Sequence, residues 1–141
     1  MSARALIERL RLVPHPEGGW YRETWRAPSL GGERAVGTAI YFLLEAGQRS
    51  HWHRIDGHEI WLWHEGDPLE LETAVGKTGP VDRVVLGVDG AYQAIVPASA
   101  WQQARPLDGQ AGYSLVSCIV APGFTFDGFE LADDDWSPGG A

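Results

Sequence analysis

The sequence predicts an all-β domain, a sandwich or jelly roll with one short N-terminal helix. Three observations predict it. The 141 residues include 18 glycines and nine prolines, so turns punctuate the chain throughout. Short runs of alternating or β-branched and aromatic residues recur at about eight places. Helical periodicity occurs only at the start, so no helices alternate with the strands and a parallel α/β sheet is excluded.

The elements follow in order. Ser2 caps a short helix whose apolar stripe is Leu6, Ile7 and Leu10, with Arg4, Glu8, Arg9 and Arg11 on the wet side; Pro14 and Pro16 end it. Pro16-Glu17-Gly18-Gly19 reads as a turn. Residues 20–26 alternate as a strand, with Trp20, Arg22, Thr24 and Arg26 on one face and Tyr21, Glu23 and Trp25 on the other. That parity excludes an ion pair between Glu23 and either arginine. After a loop over 27–35, strands are expected at 36–44, at the histidine-rich segment that follows, and at 59–63. Residues 69–75 alternate Leu69, Leu71, Thr73 and Val75 against Glu70 and Glu72, a strand wet on one side. Strands 81–87 and 92–96 are joined through Val88-Asp89-Gly90, a hairpin signal. A turn over 97–100 precedes Trp101, Gln102 and Gln103, and the last strand is 113–121. No repeat, linker or second domain is legible, so residues 1–141 read as one domain.

Composition excludes several functions. The formal net charge is −8, against a nucleic-acid binder and against adsorption to anionic membranes. No run approaches the ~20 apolar residues of a membrane span. Charged residues interrupt any N-terminal apolar core, so a cytoplasmic protein is expected. Cys118, the single cysteine, lies in an apolar strand without a basic neighbour and reads as a buried, inert thiol.

Chemistry concentrates in Ser50 to Gly66, SHWHRIDGHEIWLWHEG, which holds four of the five histidines. His51 and His53 are two apart, so on a regular strand both face one cavity. On the next strand Glu59, Trp61 and Trp63 share a face. A carboxyl, two imidazoles and indole walls would then line a small-molecule or metal pocket. His58 follows a glycine and reads as a turn residue; His64 is out of phase with Glu59 and faces the other way.

The same segment resembles the first motif of the cupin superfamily, through Gly47, His51, His53, Glu59 and Gly66, although the glycine-to-histidine and histidine-to-glutamate gaps depart from the usual ones. The surrounding words resemble the cupin family 5 group: HPEGGWYRET at 15–24, TAIYFLL at 38–44, His53-Arg54 and GHEIW at 57–61, GDPLEL at 66–71, VPASAWQ at 96–102 and VAPGF at 120–124. The resemblance implies a double-stranded β-helix (jelly-roll) cupin barrel. It implies a metal site of His51, His53 and Glu59, to which cupins normally add a second-motif histidine. Here that position is Gln102, a weak ligand for a transition metal beside imidazole.

Two chemistries therefore stand side by side. In the first, no cofactor is needed. His53 is the base and Glu59 its partner, as in the cupin-type sugar epimerases, which use a histidine, a carboxylate and a tyrosine acid without metal. Tyr21 and Tyr41 are the candidate acids. Arg22, Tyr41, His51, Trp61, Trp101 and Gln102 would contact a carbohydrate-like ligand, with Arg22 clamping an anionic group. In the second, a divalent transition metal on His51, His53 and Glu59 serves an oxygenase or isomerase. A non-catalytic small-molecule binder is the third reading. The charged and aromatic faces of strand 20–26 predict a homodimer.

Overall fold

The computed structural model describes residues 1–140 and consists of one short helix and two antiparallel sheets folded face to face. Helix α1 spans Ala3–Leu10, and the Ser2 hydroxyl accepts from the Ala5 amide at 3.1 Å. The helix stops before the prolines: Arg11 adopts the left-handed conformation (φ 58°) and its amide returns to the last turn. The strands are β1 (Val13–Pro14), β2 (Trp20–Arg26), β3 (Thr38–Glu45), β4 (Ser50–Ile55), β5 (His58–Gly66), β6 (Leu69–Ala74), β7 (Asp82–Leu86), β8 (Gln93–Val96), β9 (Trp101–Pro106), β10 (Tyr113–Ala121) and β11 (Phe129–Leu131). One sheet runs β1-β2-β3-β10-β5-β8, the other β11-β4-β9-β6-β7. This is the jelly roll expected. No helix among the described residues is long and apolar enough to cross a membrane.

The chain differs from its sequence reading at several points, and the short strands β1 and β11 are additions to it. β7 and β8 do not form a hairpin: β7 pairs with β6 and β8 with β5, so the Val88-Asp89-Gly90 turn carries the chain between sheets. β9, read only as residues following a turn, is a full strand between β4 and β6. β2 is not regular. Its register against β3 shifts between Glu23 and Trp25. The extra residue breaks the alternation, and Arg26 Nε sits 2.8 Å from Glu23 Oε1 in the ion pair that parity had excluded.

The space between the sheets is divided along its length. At one end Phe42, Leu44, Trp61, Leu69, Leu71, Leu86, Val96 and Val116 form a dry core. At the other end the same strands present polar or smaller groups: Thr38 and Ile40 on β3, Glu59 on β5, Cys118 and Val120 on β10. The outer faces have their own covers. Helix α1 lays Leu6, Ile7 and Leu10 against Leu43, Tyr113 and Leu115. The C-terminal segment brings Ala132 and Trp136 onto Trp52, Ala74 and Trp101. On that second sheet the buried carboxylate of Glu70 is held by Arg105 Nε at 2.8 Å and by Arg83, which keeps its pKa below the ordinary carboxylate value despite burial.

The turn between β1 and β2 is tied into the barrel. His15 and Gly18 close it through backbone bonds with Gly19 and His15, and the His51 amide donates to Glu17 O at 2.9 Å. Gly18 has φ +111°, and a Cβ there would lie 2.1 Å from Arg49 O. Gly18→Ala is therefore expected to cost about 2–4 kcal/mol, a sum of backbone strain and steric clash. Urea denaturation checks this; a variant as stable as the parent would show that the turn is not constrained as described.

Candidate functional site

The polar end of the barrel closes around a well of about 30 Å³ lined by His15, Glu17, Tyr21, Thr38, Ile40, His53, Ile55, Glu59, Cys118, Val120 and Phe124. A wider chamber of about 180 Å³ lies directly outside, sharing Tyr21, Thr38, Ile40 and Phe124 with the well and adding Glu23, Arg26, Thr125 and Phe126. The chamber is the mouth and the well its floor.

His53 is 2% exposed. Its Nδ1 lies 2.8 Å from the carbonyl of His51, an acceptor, so Nδ1 carries the ring proton and Nε2 keeps its lone pair. That Nε2 faces Glu17 Oε2 at 3.6 Å. The Ser50 hydroxyl donates a short hydrogen bond to the same Glu17 oxygen. Glu59 is 7% exposed, and its Oε1 accepts from Gln102 Nε2 at 2.8 Å. Gln102 Oε1 in turn accepts from Trp61 Nε1 at 2.9 Å. The amide is thus fixed by an indole on one side and holds a carboxyl on the other. His15 accepts the Glu17 amide on Nδ1 at 3.1 Å and packs edge-on against Tyr21, with ring centroids 4.5 Å apart.

Burial dominates the electrostatics. It raises Glu59 to about 7, with Glu17 adding to the rise while His53, Gln102 and Cys118 oppose it. It raises Glu17 to about 8, against the Ser50 hydrogen bond. It lowers His53, against Glu59 and the His51 carbonyl, and lowers His15 to about 4, with help from His53. Burial first, then the two nearby carboxylates, push the Cys118 thiol well up. The buried thiol reading stands, but Cys118 is a wall of the well rather than of the dry core alone. Two carboxyls that titrate near neutrality thus share a cavity with an imidazole lone pair, which is the equipment of general acid–base chemistry.

The structure brings together only part of the predicted set. His53, Glu59, Gln102 and Trp61 converge as expected, although Gln102 and Trp61 lie behind Glu59 and spend their polar groups on positioning it. His51 does not join them. Between Ser50 and His53 the β4–β9 register slips, two residues on β4 opposing one on β9. The bulge turns His51 outward, where Nε2 meets Asp133 O at 2.7 Å. Arg22 and Tyr41 lie on the outer face: Arg22 Nε donates to Leu10 O at 2.6 Å and its guanidinium stacks 5.8 Å from the Tyr41 ring. Trp101 is also outside, 4.6 Å from Trp136 and beneath Arg54. His58, read as a turn residue, is instead the first residue of β5 and accepts the Ala98 amide, while His64 faces outward to Ser117 at 2.6 Å as expected.

His15 and Glu17 were missed, and Tyr21, read only as a candidate acid, joins them in the well. HPEGG reads locally as a turn, and only its docking on β4 carries it into the barrel. The signal that could have found them was a histidine and a glutamate flanking a proline in a glycine turn, where a solvated turn needs neither.

The metal set predicted for this site does not fit. His51 is spent on the C-terminal segment and Gln102 on Glu59, and among the described residues no group of three or more His, Cys, Asp or Glu side chains is gathered as metal ligands. No step is therefore routed through a metal.

Comparison with known proteins places the chain. The family model described as Cupin superfamily (DUF985) matches residues 4–132. A hypothetical protein from Leishmania major is 38% identical, with 94% of this chain and 88% of that one covered and a TM-score of 0.83. A protein from Shewanella oneidensis is 37% identical over 94% of this chain and 85% of its own, with a TM-score of 0.85. Oxalate decarboxylase from Bacillus subtilis is 13% identical, with 84% of this chain covering 29% of it at a TM-score of 0.65, a likeness of fold alone. None of the curated proteins compared with the chain matches it.

The titrations predict a pH dependence of stability. Glu17 and Glu59, raised from 4.5, favour the folded state fully below pH 4.5 and lose that contribution as pH rises through about 7 and 8. His15, lowered from 6.5, acts in the opposite sense: its contribution is present above pH 6.5 and lost as pH falls through about 4. Above pH 6.5 the carboxyl effect stands alone. The melting temperature should fall by several degrees between pH 6.5 and 8.5, and Glu17→Gln should flatten the decline. A parent protein with an unchanged melting temperature over that range would contradict the buried, unpaired state of Glu17.

Proposed function

We propose, from the premise that the chain belongs to Cupin_5, the DUF985 family of the cupin superfamily, that it is a small-molecule enzyme performing metal-independent acid–base isomerisation or epimerisation of a carbohydrate-like compound. The observation that carries the reading is His53: its tautomer is set by the His51 carbonyl, and its free Nε2 faces a cavity that also holds Glu59, Glu17 and Tyr21. His53 Nε2 would take a proton from a carbon next to a carbonyl, and the bond pair would move toward the carbonyl oxygen. The Tyr21 phenol would return a proton, and Glu59 would stabilise the imidazolium. The well admits only the reacting group, and the chamber would seat the remainder of the substrate against Phe124 and Phe126. The same cavity without turnover would make a binding module, and one measurement separates the two. Protein incubated in D₂O with a panel of ketoses and aldoses should place deuterium at the carbon beside the carbonyl of its substrate. His53→Ala should slow exchange by about 100-fold or more. Absence of exchange across the panel, or exchange untouched in His53→Ala, would leave binding as the better description.

The homodimer belongs here too. Among the described residues strand β2 has no partner on its outer edge beyond Tyr21, since β1 pairs with Trp20 and Tyr21. Trp25 is 51% exposed, Leu30 87% and Val36 74%. An unpaired edge flanked by apolar side chains supports pairing with a second copy. Light scattering at micromolar concentration should give twice the chain mass, and Trp25→Asp should return it toward the monomer.

A further inference from the structure

We propose that the group received by the well is a small organic cation, a primary ammonium carried by the ligand. This deepens the acid–base reading of the same cavity and rests on it for the ligand's role as a substrate, but its binding can be tested without turnover.

The argument is an inventory of donors and acceptors. His53 Nε2 is an acceptor, because Nδ1 donates to the His51 carbonyl. His15 Nδ1 is an acceptor already occupied by the Glu17 amide. The Glu17 carboxyl is approached by the Ser50 hydroxyl at one oxygen, and Glu59 by the Gln102 amide at one oxygen and by the weak Cys118 thiol donor. The carboxyls and the imidazole thus crowd one small volume with lone pairs and negative charge. The ion pairs sharpen the point. Glu70, similarly buried, is flanked by Arg83 and Arg105. Asp56, Glu130 and Glu23 each have an arginine. Among the described residues no lysine or arginine pairs with Glu17 or Glu59, whose ionisable neighbours include each other and the histidines His15 and His53, both kept toward the neutral form by burial. Two buried carboxyls without a cation are an unfavourable arrangement unless they are neutral or a ligand supplies the charge. Their raised pKa values are what that lack produces.

The walls agree. Tyr21 and Phe124 line the well, giving aromatic surfaces of the kind that favour a cation. Arg26 at the mouth is engaged with Glu23 and with Phe124 O, so it does not enter. An ammonium borne by the carbon beside the carbonyl has donors for Glu17 and Glu59 while His53 Nε2 stays free for that carbon's proton, and its size suits the well.

The test uses the chelator-treated, full-length protein and methylammonium chloride as probe, against sodium chloride at equal ionic strength and against sodium acetate. Methylammonium should give saturable binding by calorimetry and a rise in melting temperature at pH 8, with protons released on binding. Glu17→Gln and Glu59→Gln, isosteric changes that remove a buried charge and should fold, are each expected to weaken binding by about tenfold or more. Glu130→Gln, on the surface, should leave it unchanged. Binding equal to that of sodium or acetate, binding insensitive to both glutamine variants, or a response only to added Mn²⁺ or Zn²⁺ would overturn the proposal. Methylammonium binding without the deuterium exchange described above would remove the enzyme reading and leave this one standing.

Discussion

A carboxyl is held inside the barrel by an amide and a thiol. Glu59 lies where the dry core meets the polar well, and burial there is tolerable because Gln102 donates to it while Trp61 fixes Gln102. The links join two strands: Glu59 and Trp61 on β5, Gln102 on β9 of the facing sheet. The chain of bonds therefore ties the two sheets together at the level where packing changes to chemistry. In the metal-binding cupins as the sequence resemblance describes them, a histidine stands where Gln102 does. Here the same position serves the carboxyl instead, and the site follows from that exchange.

The bulge in β4 is the second determinant. It allows Ser50 and His53 to face the same carboxyl while His51 leaves for Asp133 on the outer surface. The His51 backbone still contributes, since its carbonyl sets the His53 tautomer and its amide anchors the Glu17 turn. A residue whose ring is lost to the site thus organises it through its peptide groups. Bulges beside functional sites commonly re-aim side chains in this way.

The outer faces explain where the remaining aromatic and basic residues went. Arg22 and Tyr41 serve the docking of helix α1, and Trp101 serves the C-terminal cover with Trp52 and Trp136. Their chemistry suits a binding pocket, yet the sheets have two faces and both need burial. Tryptophan richness in so short a chain reflects a thin barrel covered on both sides as much as a ligand platform.

By itself the sequence determined the strand-rich architecture, the Ser2 cap and the facing of His53 and Glu59 into one cavity, because glycine and proline placement, capping and strand alternation are local properties written in consecutive residues. It also carried the resemblance that gave the barrel topology. What it could not carry were the register slips at Glu23/Trp25 and Ser50/His53, since a bulge is an offset between two strands and leaves no mark on one. Tertiary structure alone decided that His51, Arg22, Tyr41 and Trp101 lie outside, and that the His15–Glu17 turn folds inward. The physical reason is that a side chain's face depends on the partner strand and on the layer that covers it, and both are made by residues distant in the chain.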